Sequence, residues 1–180
     1  MRPRRSWLRL TILNADHLLE QAERLTKPLT SGPPRQADIR RAVSSAYYSV
    51  FHAALTAAGD ILVGRTHRSS RRYALVYRGI DHRGLRSLCA DARKSPVPNK
   101  YKSYLPTRGF GQDLLTFAST VIVLQDARHE ADYDPRRRFR ASEAKLTVDL
   151  ARTGLIHWDR VPTDEKATFL TMLAFPPRGL

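Results

Sequence analysis

Six consecutive residues, Arg128-His129-Glu130-Ala131-Asp132-Tyr133, put a permanent cation, an imidazole, two carboxylates and a phenol on one short piece of chain. Arg128 and Asp132 stand four apart, so on a helix they share a face and can pair, with Tyr133 one step further round. Metal-free cleavage of RNA uses such groups: a base takes the 2′-OH proton, an acid protects the leaving 5′-oxygen, and a cation offsets charge growing on the phosphate. The same spacing also suits an ion pair at a helix end with a tyrosine packed on the next helix. A second set is Arg41, Ser45, Tyr48 and His52, which succeed one another at helical steps. They form a polar stripe that is either the edge of a core helix, a site, or an interface.

Basic residues cluster around these groups. The run PRRRFR begins one residue beyond the first set and carries Arg136, Arg137 and Arg138, suited to holding a flanking phosphate backbone. In residues 94–110, Lys94, Lys100, Lys102 and Arg108 alternate with Tyr101 and Tyr104. Aromatics stack on bases and cations take phosphates, so this stretch suits single-stranded nucleic acid; by composition it is loop, functional or disordered. Lys and Arg number 31 against 17 acids, a net charge of +14. Residues 64–140 hold 17 of the bases and 7 of the acids. A basic middle of this kind is either a footprint for a polyanion or a solvated basic face.

The elements that must position these residues read as helices. Residues 39–59 contain no proline, and Val43, Ala46, Tyr47, Val50, Ala54 and Ala57 share one apolar face. A first helix is expected over residues 6–26 on Leu8, Ala15, Leu18, Ala22 and Leu25, ending at Pro28. Residues 73–77 form a short helix ending at Gly79 or a short strand, and 85–93 a short helix led by Asp81 or His82. Residues 111–133 bury Leu114, Phe117, Ala118, Val121, Leu124 and Ala127, and Pro135 ends that helix. Residues 141–155 carry apolar Ala144, Leu146, Val148, Leu150 and Ala151, with Gly154 breaking the helix near its end. A last short helix opens at Pro162, with Thr163 as N-cap and Asp164 and Glu165 in its first turn. The economical arrangement is an all-α, up-and-down bundle of four to five helices with a short extra C-terminal helix. One domain spans 1–180, with its core over 6–155, a basic insertion at 64–80, the 94–110 loop, and an appendage at 156–180.

Hydrophobic content of 42% is ordinary, and no apolar run approaches the ~20 residues of a membrane span. The start, MRPRRSW, has the charge of a signal-peptide head, but Arg9, Asn14, Asp16 and His17 interrupt the apolar stretch behind it, so a cytoplasmic location is expected. Cys89 is the single cysteine, which excludes an internal disulfide and a cysteine metal cluster. No metal or other cofactor is expected.

Three segments, AYYSVFHAA (46–54), HRGL (82–85) and RHEADYDP (128–135), resemble in order and spacing the HEPN superfamily, in the branch with AYYxxFHA and RxxADY signatures. The likeness covers about residues 39–151. It implies a helical bundle, commonly a dimer, and an RNA-directed function. Many members are metal-independent endoribonucleases with a site shared across the dimer axis, working as toxins beside a nucleotidyltransferase-type antitoxin or in bacterial defence. Others are non-catalytic modules binding RNA, nucleotide or such a partner. On the catalytic reading Arg128 binds the scissile phosphate and His129 or His52 carries the proton. Asp132 pairs with Arg128, and Tyr133 and Tyr48 position ribose or phosphate. Arg136, Arg137, Arg138, Lys100 and Lys102 would hold further backbone. Active members place a histidine four to six residues after the arginine; Tyr133 stands there in this chain. Arg152 and His157 have that spacing by chance, with Gly154 between them. Asp81 stands where the branch has threonine.

Overall fold

A computed structural model describes residues 13–28 and 32–177, and every regular element among them is a helix. The helices are α1 (Ala15–Leu25), α2 (Gln36–Leu62), α3 (Arg71–Gly79), α4 (His82–Ala92), α5 (Gln112–Tyr133), α6 (Ala141–Arg160) and α7 (Thr163–Ala174), with 3₁₀ turns at Arg65–His67 and Asn99–Tyr104. They pack as an up-and-down all-α bundle. None of these helices is long and apolar enough to cross a membrane.

The central element is α2, which packs against α1, α3, α5, α6 and α7. Its 27 residues span about 40 Å. Ala42, Val43, Ala46, Val50, Ala54 and Ala58 are completely buried, and these small side chains let neighbouring helices approach closely. The polar stripe expected on α2 is divided. Arg41 is exposed, but Ser45 is buried and its hydroxyl donates to Gln21 of α1. Of the first expected helix, residues 6–12 lie outside the described chain. The remainder opens at Asn14, whose side chain accepts from the Asp16 N–H at 2.9 Å.

Residues 71–79 are helix, not strand. Ser70 caps α3 by accepting from the Tyr73 N–H, and Tyr73 is buried against Gly59 of α2, where a Cβ would strike the phenol ring. The 94–110 stretch is not open loop throughout. Its 3₁₀ turn sends Tyr101 into the core at 4% exposure, where the hydroxyl donates to Asp91. Tyr101 therefore cannot serve as a base-stacking platform.

Gly154 does not break α6, which continues to Arg160. The glycine allows contact with α5: an added Cβ would lie 2.6 Å from Thr120 Cγ2. Leu146, expected on the apolar face, is exposed. Nor do the described residues of the expected appendage, 156–177, hang from the bundle; residues 178–180 lie outside the described chain. Phe169 and Leu170 of α7 are fully buried with Trp158 and Phe117. Pro162 takes the cap position, one residue before the expected Thr163. Glu165 of α7 reaches across to α5, where its carboxylate accepts from the Gly111 N–H at 2.8 Å and supplies a cap that α5 lacks locally.

Candidate functional site

The carboxyl end of α5 faces the middle of α2, and there Arg128 meets Tyr48. Arg128 Nη2 donates to Tyr48 Oη at 2.9 Å and to Tyr133 Oη at 3.4 Å. The guanidinium carbon stands 5.5 Å from the Tyr48 ring centre and 5.2 Å from that of Tyr133, within cation–π range. Asp132 Oδ2 lies 2.7 Å from Arg128 Nε. The Nε–H is not aligned on that oxygen and finds no hydrogen-bond partner among the described residues, so this contact is coulombic. Asp132 Oδ1 accepts from the buried Ser44 hydroxyl at 2.5 Å, which ties the ion pair to α2. The Arg128 side chain keeps 14% of its exposure, so the cation is held in place while still reaching the surface.

Arg40 of α2 holds the segment beyond α5. Its Nε, Nη1 and Nη2 donate to the carbonyls of Ala131, Arg137 and Asp134, each at 2.8 Å. These carbonyls lie at and beyond the end of α5, where helical partners run out and the dipole favours a cation. Gln36 exchanges two hydrogen bonds with the Phe139 backbone. Arg137 is consumed structurally, bridging Glu130 at 3.0 Å and Glu143 at 2.8 Å over the Phe139 ring. Arg136, 93% exposed, and Arg138 project outward. Only these two members of the expected trio are open to a backbone.

An aromatic and imidazole cluster continues the site from Tyr48. His52 stacks on Tyr48 at 6.0 Å between ring centres, and its Nδ1 meets the Tyr77 hydroxyl at 2.6 Å. His82, the first residue of α4, lies edge-on to Tyr48 at 5.9 Å, against Phe51 at 4.0 Å, with Nδ1 2.7 Å from the Tyr47 hydroxyl. Arg86, one turn along α4, fixes that helix to α5 by pairing with Asp126 at 2.8 Å and donating to the Ile122 carbonyl. Burial, reinforced by the Arg128 charge and only partly opposed by Asp81, holds His82 below the usual histidine range. Burial and the neighbouring His82 do the same to His52. Burial pushes the Tyr47 and Tyr77 phenols up. The cluster therefore presents a fixed cation, neutral imidazoles and neutral phenols at neutral pH.

His129 is exposed, with its ring 5.1 Å from that of Tyr133, itself 62% exposed. Thus Arg128, His129, Asp132, Tyr133, Tyr48 and His52 share one flank. Lys100 and Lys102 make no contact with them. Their segment is fastened through Tyr101 to Asp91, nine residue steps, about 13 Å, along α4 from His82. Lys100 is paired with Asp91 at 3.4 Å.

Five contributors carry no assigned role in the sequence. Tyr47 is indistinguishable there from a core residue, and Tyr77 lies in the basic insertion. Arg40 and Ser44 have only their four-residue spacing on α2 as a signal. His82 stands in a motif without a role. Among the described residues, no three His, Cys, Asp or Glu side chains come together as a metal site. No family model, curated protein or solved structure matches the chain.

Proposed function

We propose that this is an RNA-directed protein of HEPN type, acting as a metal-independent endoribonuclease, a toxin-like component of a bacterial defence or toxin–antitoxin system. The supporting observation is the convergence of Arg128 with Tyr48, Tyr133 and His129 on one flank, with Arg136 and Arg138 open beyond it. Arg128 binds the scissile phosphate. His129 takes the 2′-OH proton, the 2′-oxygen attacks phosphorus, and the P–O5′ bond breaks. The 5′-oxygen leaves as a hydroxyl with a proton returned by the imidazolium, and a 2′,3′-cyclic phosphate remains. Tyr48 and Tyr133 orient the phosphate from either side of the guanidinium. The protein works in the cytoplasm as a homodimer beside a nucleotidyltransferase-type antitoxin.

The test is incubation of the purified chain with RNA in EDTA. Expected products carry cyclic phosphate ends and disappear with Arg128→Ala and with His129→Ala. Intact RNA, or equal cutting by Arg128→Ala, refutes cleavage.

A second reading, a module that binds RNA, nucleotide or a nucleotidyltransferase partner without cutting, is favoured by Tyr133 standing where active members place histidine. It predicts intact RNA with binding that weakens steeply in salt. Each phosphate contact on a single strand contributes about −0.7 to the slope of log K against log salt. Removing Arg136 and Arg138 together is expected to make the slope shallower by about 1.4.

A further inference from the structure

The Tyr47 phenol is 0% exposed, and the partner its hydroxyl finds among the described residues is His82 Nδ1 at 2.7 Å. A buried hydroxyl proton left without an acceptor costs about 1–3 kcal/mol. Were Nδ1 to carry the imidazole proton, the Tyr47 proton would have nowhere to go. The satisfied arrangement has Tyr47 donating and Nδ1 accepting. A neutral imidazole with Nδ1 as acceptor carries its proton on Nε2. His82 Nε2 bonds to no described residue, on a ring that is only partly buried. That ring lies edge-on to Tyr48, whose own ring also lies against the Arg128 guanidinium.

We infer that Tyr47 locks His82 as an Nε2–H imidazole, and that His82 with Arg128 forms a two-donor seat for a phosphodiester oxygen, so that His82 serves as a donor and not as a base. The identity of the ligand rests on the RNA reading above; the tautomer does not. Tyr47 is then a positioning residue, acting on the ligand only through His82. A guanidinium and an N–H that both lie against the Tyr48 ring complement an anion that only accepts hydrogen bonds, which is the character of a phosphodiester.

Long-range proton–nitrogen correlation spectra of the full chain, with its histidines labelled with nitrogen-15, read the tautomer directly at neutral pH. Wild type is expected to show Nε2 protonated and Nδ1 bare at His82. A short single-stranded RNA should move the Nε2–H resonance. Tyr47→Phe should mix the two tautomers while circular dichroism stays helical. In binding, His82→Ala should lose about tenfold or more, the effect of one hydrogen bond to a charged group. His82→Gln, which keeps an N–H near the Nε2 position, should retain most of the affinity. A proton on Nδ1, or an Nε2–H unmoved by RNA that does bind, overturns the inference. If RNA does not bind at all, the RNA reading falls separately. The donor role is then decided with inorganic phosphate, and a His82 resonance that phosphate leaves unmoved overturns it.

Discussion

Removing the Arg40 side chain should unfasten the end of α5 and the arginine segment together. Its three hydrogen bonds to the carbonyls of Ala131, Asp134 and Arg137 are charge-assisted, each worth about 1.5–3 kcal/mol when broken without replacement. The full sum overstates the loss, because Arg40 is only half-buried and water can reach freed carbonyls of the loop after α5. Ala131 is buried, so its carbonyl is the one left unsatisfied. The expected destabilisation for Arg40→Ala is about 3 kcal/mol, or roughly 6–12 °C in melting temperature for a domain of this size. Arg40→Lys should recover about a third, since an ammonium cannot fan out to three carbonyls. Urea denaturation with an unchanged slope measures the energy. Hydrogen exchange over residues 131–140 locates it, with faster exchange there than in α2. A loss below about 1 kcal/mol, or unchanged exchange in that segment, refutes the assignment of Arg40 as the clamp.

Gly154→Ala should destabilise by about 1–3 kcal/mol through overpacking against Thr120. Thr120→Ala should relieve much of that cost in a double-mutant cycle. Glu165→Ala should lose about 1–2 kcal/mol by exposing the uncapped end of α5, whereas Glu165→Gln, which keeps an acceptor, should lose less; chemical denaturation distinguishes the two. His52 and His82 both titrate below their ordinary value in the folded chain. Their contribution to stability is therefore complete above about pH 6.5, the reference value. It is lost as pH falls through the folded values, because the unfolded chain takes up protons that the folded one refuses. Thermal melts between pH 7.5 and 5 should show this decline, and a His52→Gln, His82→Gln double variant should flatten it.

The helical class and the positions of α2, α5 and α6 were legible because apolar residues repeat at three- and four-residue steps, and that pattern depends only on local backbone geometry. The pairing of Arg128 with Asp132 was legible for the same reason, both residues lying on one helix. Periodicity also says which face of a helix is buried, but not what it is buried against. The sequence therefore placed Tyr101 in a nucleic-acid stretch when its ring fills the core. It made a helix breaker of Gly154, which in the bundle admits Thr120. It left Tyr47 as another apolar-face residue when its hydroxyl holds His82. Arg40 and its three carbonyls are more than ninety residues apart in the chain, as are Arg128 and Tyr48 by eighty. Such contacts form because long side chains cross between helices that only the packed bundle sets side by side. The sequence by itself determined the helices and the chemical groups they carry. The tertiary structure decided which of those groups meet, because close packing at one set of small residues on α2 selects one arrangement of neighbours.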